Sequence, residues 1–261
     1  MKTEEPSTAA AVLLHVTDPH LHANAASKMR GVNTYDTFRA VLRQAQRDNR
    51  WPPDAIIATG DLVQDESREG YERFKSCLDR LGVPVFCTPG NHDDPKHMVE
   101  VLDEPPFQVG GSAVLGGWRL IFVSTYVKGE DAGAVGEAGL AALARELGAH
   151  PDDPTLICMH HHPVPMGSAW LDGVGLLDAP QFLAVADRHP QIRGIVWGHV
   201  HQALDRQRAK VRLLSTPSTC AQFLPGHDFF ALDNRPPGCR WITLLGDGRI
   251  ETALDWLDRR A

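Results

Sequence analysis

The stretch DAIIATGDLVQD, residues 54–65, runs from an apolar segment into a Gly-Asp pair and ends in a second acidic residue. Its apolar core, residues 55–58, is bounded by Asp54 and Gly60, which is typical of a short buried strand. Asp61 follows directly where that strand should end. The same arrangement, a buried strand closed by polar residues, recurs along the chain and predicts an α/β fold with polar groups at one edge of its sheets.

The remaining elements follow from the spacing of apolar residues. Strands are predicted over residues 11–16, 54–60, 84–90, 118–125, 155–159 and 192–198, and helices over 33–49, 67–82 and 136–148. Asn33 or Thr34 can cap the first helix, and Gly82 and Gly148 are typical stop signals for the other two. Two further strand regions, 211–218 and 240–256, follow without helices between them, and the second folds at Asp247-Gly248. Strands that alternate with helices, followed by a region of strands alone, predict a central β-sandwich covered by helices.

Composition limits the classes of function. The chain has 261 residues, of which 43% are hydrophobic and 23% charged, so we expect one domain over residues 9–261. The first eight residues, MKTEEPST, are polar and acidic, and we expect them to form a disordered tail. The net charge of −7 and the lack of a basic strip disfavour nucleic acid as a partner and a nuclease as the function. No apolar run approaches the roughly 18 residues of a membrane span. Five scattered cysteines without a CxxC pair predict reduced, buried thiols in a cytoplasmic protein.

Polar residues cluster at the ends of five predicted strands. The clusters are Asp18-Pro19-His20, Gly60-Asp61, Gly90-Asn91-His92-Asp93, His160-His161-His162 and Gly198-His199-Val200-His201. A turn or a helix cap would explain any one cluster alone. Five clusters at the carboxyl ends of strands are better explained by a single shared site at one edge of the fold.

The residue types in these clusters predict a metal site. With one histidine from the triplet there are seven candidate ligands: Asp18, His20, Asp61, Asn91, His160, His199 and His201. Seven donors are too many for one tetrahedral ion and suit two ions that share a carboxylate. Mixed oxygen and imidazole donors favour Fe, Mn, Zn or Co over Ca. Two divalent ions with these carboxylates and a bridging hydroxide keep a net positive charge, which suits a phosphate ester anion. Strand spacing alone does not decide whether His160 or His161 is the ligand.

The motifs DPH (18–20), GDLVQD (60–65), GNHD (90–93), His160 and GHVH (198–201) resemble those of the calcineurin-like metallophosphoesterases. The resemblance implies a four-layer αββα sandwich with two central mixed β-sheets. It implies one metal held by Asp18, His20, Asp61 and His201, and a second completed by Asn91, His160 and His199, with Asp61 bridging. It also makes His92 the catalytic residue, which contacts the phosphate and stabilises or protonates the leaving oxygen.

The same resemblance extends to substrate contacts. Asn91, His92 and His201 are expected to bind substrate, and His162, on the same side as His160, is a further candidate. His161 is expected to point away from the site, because neighbouring strand residues face opposite sides. Pro19 is expected to hold Asp18 in extended geometry.

Four segments outside the ligands are similar to the bacterial class III cyclic AMP phosphodiesterases: GVNTYDTFRAVL (31–42), ATGDLVQDES (58–67), HHHPVPMGSAWLD (160–172) and STPSTCAQF (215–223). This similarity implies hydrolysis of 3′,5′-cyclic AMP to 5′-AMP by in-line attack of a metal-bridging hydroxide, which would lower cellular cAMP. It implies two divalent ions per subunit, Fe or Mn, with Zn or Co as alternatives. We expect a small-molecule substrate, no nucleic acid or membrane partner, and a monomer or homodimer.

The sequence leaves other functions open. The same metals could act on glycerophosphodiesters, 2′,3′-cyclic nucleotides or phosphomonoesters. A non-catalytic nucleotide or metal sensor is a further alternative, which the intact set of seven ligands disfavours.

Several residues near the motifs are expected to have other roles. Asp65 is expected to hold the loop after Asp61, and Asp93 to orient a histidine. Trp170 and Phe223 either form an adenine-stacking wall or, as we prefer, pack in the core. His22 and His227 are expected at the surface.

Overall fold

The computed structural model describes residues 8–258, so the predicted tail lies outside the described residues except for Thr8. The strands are β1 (Ala9–Val16), β2 (Lys28–Met29), β3 (Val32–Asn33), β4 (Ala55–Thr59), β5 (Val85–Thr88), β6 (Phe107–Val109), β7 (Gly111–Leu115), β8 (Trp118–Phe122), β9 (Thr155–Cys158), β10 (Ile192–Trp197), β11 (Leu204–Arg208), β12 (Val211–Ser215), β13 (Gln222–Phe223), β14 (Leu232–Asp233), β15 (Gly238–Leu245) and β16 (Ile250–Trp256). The helices are α1 (Thr34–Ala45), α2 (Arg68–Leu78), α3 (Pro95–Leu102), α4 (Gly136–Ala149), α5 (Ala169–Asp172) and α6 (Ala179–Asp187).

Two six-stranded sheets form the centre of the fold. The first has the order β16-β15-β1-β4-β5-β6, in which β1, β4, β5 and β6 are parallel and the β15–β16 hairpin pairs with β1 through the antiparallel strand β15. The second has the order β11-β12-β10-β9-β8-β7, with four parallel central strands between two antiparallel edge strands. Both sheets are mixed, as the family resemblance implied.

Alternation along the strands decides which layer each side chain joins. In β1, Leu13 packs between the two sheets, whereas Leu14 packs under the helices on the outer face of the first sheet. Phe38 of α1 and Phe74 of α2 complete that outer layer, and their rings stack at 5.5 Å. On the second sheet, α4 and α6 cover the opposite outer face, with Phe182 at its centre. The layers run helix, sheet, sheet, helix, so the four-layer αββα prediction is confirmed.

Most predicted elements are present, with corrected ends. Asn33 is the N-cap of α1, where its side chain accepts a hydrogen bond from the Asp36 amide. Gly148 does not stop α4, which continues through it to Ala149. We did not predict α3, α5 or α6, nor the short strands β2, β3, β6, β7, β13 and β14, nor β11. The last is a polar edge strand, so it lacks the apolar run that marks a buried one.

The remaining global predictions concern cysteines and membranes. All five cysteines are unpaired and four of them are buried, as predicted. Burial raises the pKa of each thiol, which keeps it protonated and unreactive. Within residues 8–258, no helix combines the length and the apolar character that crossing a membrane requires.

Candidate active site

The polar clusters that follow five strands lie close together in the structure. Strands β1, β4 and β5 of the first sheet and β9 and β10 of the second each end one or two residues before a cluster. The loops then run side by side, because the backbone amides of Asp18 and His20 donate to the carbonyls of Gly60 and Asp61 at 3.1 and 3.0 Å. Donor atoms of Asp18, Asp61 and His160 lie within 4.8 Å of one another, as do those of Asp18, His20 and His201.

The backbone carrying these residues is strained. Five of the seven candidate ligands have positive φ: Asp18 (51°), His20 (46°), Asp61 (49°), His199 (65°) and His201 (47°). Positive φ is uncommon outside glycine, and such strain concentrates at functional sites. The expectation that Pro19 keeps Asp18 extended is therefore wrong. Tertiary hydrogen bonds outweigh the local preference, since the buried Asp18 carboxylate accepts from the His199 amide at 3.0 Å and the Asp18 amide donates to the Gly60 carbonyl at 3.1 Å.

Gly90 lets two of these loops approach closely. A Cβ atom at this position would lie 2.3 Å from Asp61 Oδ1 and 2.5 Å from the Asp61 amide nitrogen. Gly90→Ala is therefore expected to destabilise the fold by about 1–3 kcal/mol, because the Asp61 loop would have to move. Thermal unfolding measures the effect.

Gly148→Ala is the matched control for that substitution. Gly148 lies in α4, and a Cβ atom added there would meet nothing within 4 Å, so alanine should leave stability unchanged or raise it slightly. Equal unfolding temperatures for Gly90→Ala and the unsubstituted protein would contradict the close approach.

Three of the histidines are oriented by backbone carbonyls. A carbonyl only accepts hydrogen bonds, so the ring nitrogen facing it carries the proton and the other nitrogen of a neutral ring presents a lone pair. His160 and His201 use Nδ1 in this way, and His199 uses Nε2. The carbonyls belong to Thr59, Val174 and Ala221, at 2.6, 3.0 and 2.7 Å from the rings of His160, His199 and His201.

The free nitrogens of these histidines point at other acceptors. His160 Nε2 lies 3.2 Å from Asn91 Oδ1 and 3.4 Å from Asp61 Oδ1. His199 Nδ1 lies 3.0 Å from the same Asn91 oxygen. His201 Nε2 lies 3.3 Å from Asp18 Oδ1. When these rings are neutral, their lone pairs converge with the Asp18, Asp61 and Asn91 oxygens, an arrangement that a cation relieves.

The charges of the site also indicate a cation-binding site. Burial opposes ionisation of both carboxylates, but neighbouring histidines hold the pKa of Asp18 and of Asp61 below its usual value. Burial lowers the pKa of His20 to about 3, so this ring is neutral. Burial also opposes charge on His160, but Asp61 outweighs it and raises the pKa of His160 to about 9. Two buried carboxylates therefore concentrate negative charge in the site, and the donor set fits divalent cations.

His92 lies at the rim of this cluster. Its ring is half-buried and packs edge-on against His20, with the ring centroids 5.3 Å apart. Its backbone amide donates to Asp61 Oδ1 at 2.9 Å, and the Gln64 side-chain amide lies 3.1 Å from His92 Nδ1. One ring nitrogen is thus held by Gln64, a partner that we did not predict from the sequence.

Asp93 does not orient a histidine, which corrects our prediction. Its buried carboxylate accepts from the amides of Leu62 and Gly90, at 3.1 and 2.8 Å, and from the Tyr71 hydroxyl at 2.9 Å. It therefore ties together the loops that carry Asp61 and Asn91. Burial, with the nearby charge of Asp61, raises the pKa of Asp93 to about 7.

Asp65 is placed as predicted, on the loop after Asp61. It accepts from the Ala23 amide at 3.0 Å and from the amide and hydroxyl of Ser67. His22 lies beside it, half-buried, and His227 is exposed. These contacts hold the loop and leave Asp65 outside the cluster of donors.

The other two histidines of the triplet depart from period-two geometry. His161 does not point away, since its buried ring lies 4.6 Å from that of His199 and contacts the Thr125 hydroxyl and the Asp131 carbonyl. His162 stacks on His199 at 5.7 Å and lines a separate, smaller cavity, so this placement does not support the substrate contact predicted for it. The reason is that β9 ends at Cys158, and alternation ends with the strand.

A cavity of about 540 Å³ opens over the cluster. Its polar end is lined by His20, Asp61, Asn91, His92, His199 and His201. Trp170 and Phe223, for which we preferred core packing, line its other end together with Phe230. Both rings do pack against the apolar layer over the second sheet, as we preferred, but they are only partly buried and also border the space above the donors. Phe230 and Arg30 were missed, since neither lies in a strand-end cluster.

The fold and this donor cluster define a class of metal-dependent phosphoesterase. A family model described as calcineurin-like phosphoesterase matches residues 11–203. The chain belongs to the calcineurin-like phosphoesterase family.

Curated relatives cover nearly the whole chain. It is 39% identical over 92% of its length to a Haemophilus influenzae protein named 3′,5′-cyclic adenosine monophosphate phosphodiesterase CpdA, of which 88% is covered. Proteins of the same name from Pseudomonas aeruginosa and Escherichia coli K12 are each 36% identical, over 97% and 92% of this chain and 93% and 87% of theirs. A solved dimetal phosphatase from Danio rerio, 13% identical, shares the fold with a TM-score of 0.64 over 96% of this chain and 100% of its own.

Proposed function

We propose that this protein is a 3′,5′-cyclic AMP phosphodiesterase that forms 5′-AMP with the help of two divalent metal ions. The observation that carries the proposal is the convergence of seven buried or half-buried donors, three of them histidines with fixed tautomers, under an open cavity. The relatives named CpdA support the choice of cyclic AMP over other phosphodiesters.

The donors divide naturally into two groups. Asp18, His20 and His201 would hold one ion, and Asn91, His160 and His199 the other, with Asp61 between them. The ions would supply Lewis-acid chemistry, lowering the pKa of the attacking water and neutralising charge on the phosphoryl oxygens during in-line displacement. Fe or Mn is our proposal for the pair, with Zn or Co as alternatives.

The chain's own residues would handle substrate and leaving group. Asn91 and His201 adjoin the cavity from the donor cluster and would contact the phosphate. His92, half-buried at the rim, would donate a hydrogen bond or proton to the leaving 3′-oxygen. Gln64 would keep the ring in place by holding Nδ1 at 3.1 Å.

The wider setting is also a proposal. We propose that residues 9–261 form one domain, because a shared apolar layer joins the two sheets. A monomer or homodimer working in the cytoplasm, with no nucleic-acid or membrane partner, is consistent with the net charge of −7.

The deciding experiment is hydrolysis of 3′,5′-cAMP by protein that has been stripped of metal and reloaded with Mn²⁺ or Fe²⁺. We expect 5′-AMP to form only after reloading. Asn91→Ala should lower the rate by about 10²-fold or more, because it removes the oxygen shared by His160 and His199.

Asn49→Ala, at an exposed turn, is the matched control and should keep full activity. Turnover of an aryl phosphodiester without turnover of cAMP would retain the site and overturn the substrate. Stoichiometric cAMP binding without hydrolysis by the reloaded protein would favour a sensor instead.

A further inference from the structure

We propose that the aromatic end of the cavity is a nucleobase-binding subsite, formed by the rings of Trp170, Phe223 and Phe230, which selects phosphate esters that carry a base. The inference rests on the proposed function, because it concerns the aromatic half of the same cavity. These three residues are called the aromatic corner below.

The aromatic corner has the geometry of an open recess. Each pair of its rings has centroids 5.3 Å apart, and the interplanar angles are 68°, 70° and 76°. Rings in edge-to-face contact do not cover one another as a parallel stack would. All three line the cavity, and Phe230 keeps 42% of its surface exposed. Apolar ring surface is therefore available to a planar ligand.

The aromatic corner adjoins the phosphate-binding end directly. Phe223 lies parallel to His201, with the ring centroids 4.0 Å apart and the planes 3° apart. His201 Nε2 is in turn 3.3 Å from Asp18 Oδ1. In a cyclic nucleotide the ribose separates base from phosphate, and a cavity of about 540 Å³ is in the size range of small-ligand sites. One ligand can thus reach both ends.

Charge identifies the kind of ligand. Aromatic recesses also bind quaternary ammonium groups, which would suit a choline-containing diester. Here the Arg30 guanidinium already lies 4.4 Å from the Phe230 centroid, and Lys28 also lines the cavity. These cations would repel a second cation but not a neutral heterocycle.

The test compares three ligands that share a phosphate: 5′-AMP, ribose 5-phosphate and phosphocholine. Calorimetry on the metal-loaded protein should show 5′-AMP binding at least about tenfold more tightly than the other two. Phe230→Ala should weaken 5′-AMP binding by about 5- to 100-fold and leave ribose 5-phosphate within about twofold. The KM for cAMP should rise with the loss of 5′-AMP affinity.

Phe229→Ala is the matched control, because Phe229 is the neighbouring residue, is 76% exposed and lies outside the cavity lining. Phe229→Ala should leave the affinities for 5′-AMP and ribose 5-phosphate unchanged. Phe230→Tyr should bind 5′-AMP like the unsubstituted protein, because tyrosine keeps an aromatic ring at this position. If Phe230→Ala affected all three ligands equally, or phosphocholine most, the nucleobase assignment would be wrong.

A different result would contradict the proposed function, namely the absence of cAMP hydrolysis by unsubstituted, metal-loaded protein. If cAMP is hydrolysed but Phe230→Ala binds 5′-AMP normally, only the subsite is overturned. The two proposals are therefore tested separately.

Discussion

Asp61→Asn is expected to lower cAMP hydrolysis by more than about 10³-fold and to reduce the metal content of the protein. The Asp61 carboxylate lies 3.4 Å from His160 Nε2 and 3.8 Å from His20 Nε2, so it is the donor between the two groups of ligands. Asparagine keeps the shape but loses the charge and one strong acceptor. Elemental analysis after dialysis measures the metal bound per chain, and initial rates measure turnover.

Asp79→Asn supplies the control for that experiment, because it makes the same chemical change at an exposed position following α2. It should retain both metal and activity. The bridging role of Asp61 would be excluded by a substituted protein that keeps its full metal content and hydrolyses cAMP at the original rate.

His92→Ala is expected to lower kcat for cAMP by about 10²–10⁴-fold, the usual contribution of a positioned acid. The 3′-oxygen of cAMP is a poor leaving group and needs a proton or hydrogen bond. A nitrophenyl diester releases a stable anion, so its hydrolysis should fall by only about tenfold or less if His92 acts as the acid. The ratio of the two effects measures the role of the ring.

Metal content is the control readout for His92→Ala, and it should not change, since His92 is in neither group of proposed ligands. Equal losses for both substrates would assign His92 to binding the phosphoryl group, not to protonating the leaving oxygen. Unchanged cAMP turnover would remove His92 from the mechanism. Gln64→Ala should reproduce part of the His92→Ala effect, because it frees the ring at Nδ1.

Local sequence patterns were sufficient to predict the parallel strands and the polar clusters that follow them. The apolar runs before Asp18, Asp61 and His199 are short and continuous, which is typical of strands buried on both faces. Parallel strands in one sheet end at the same edge, so the clusters within each sheet had to approach one another, and the packing of the two sheets joined the two sets. The motif resemblance added what periodicity lacked, namely the four layers and the choice of His160 from the triplet.

Local patterns failed where a residue's environment comes from distant parts of the chain. Asp18 was expected to be extended before Pro19, but the His199 amide, 181 positions away, holds its carboxylate, and its φ is 51°. Asp93 was expected to serve a histidine, but it accepts hydrogen bonds from the two neighbouring loops. Rules of local preference contain no information on such partners.

By itself, the sequence determined the elements, the edge at which they end and the seven donors available there, because strand length, turn chemistry and ligand type are local properties. Only the tertiary structure decided the protonated nitrogens of His160, His199 and His201, since the carbonyls that orient them lie far away in the chain. It also decided the aromatic corner, which brings Trp170 against the β13–β14 hairpin. Residues separated along the chain become neighbours only through packing, and in this protein that packing forms the proposed base-binding half of the cavity.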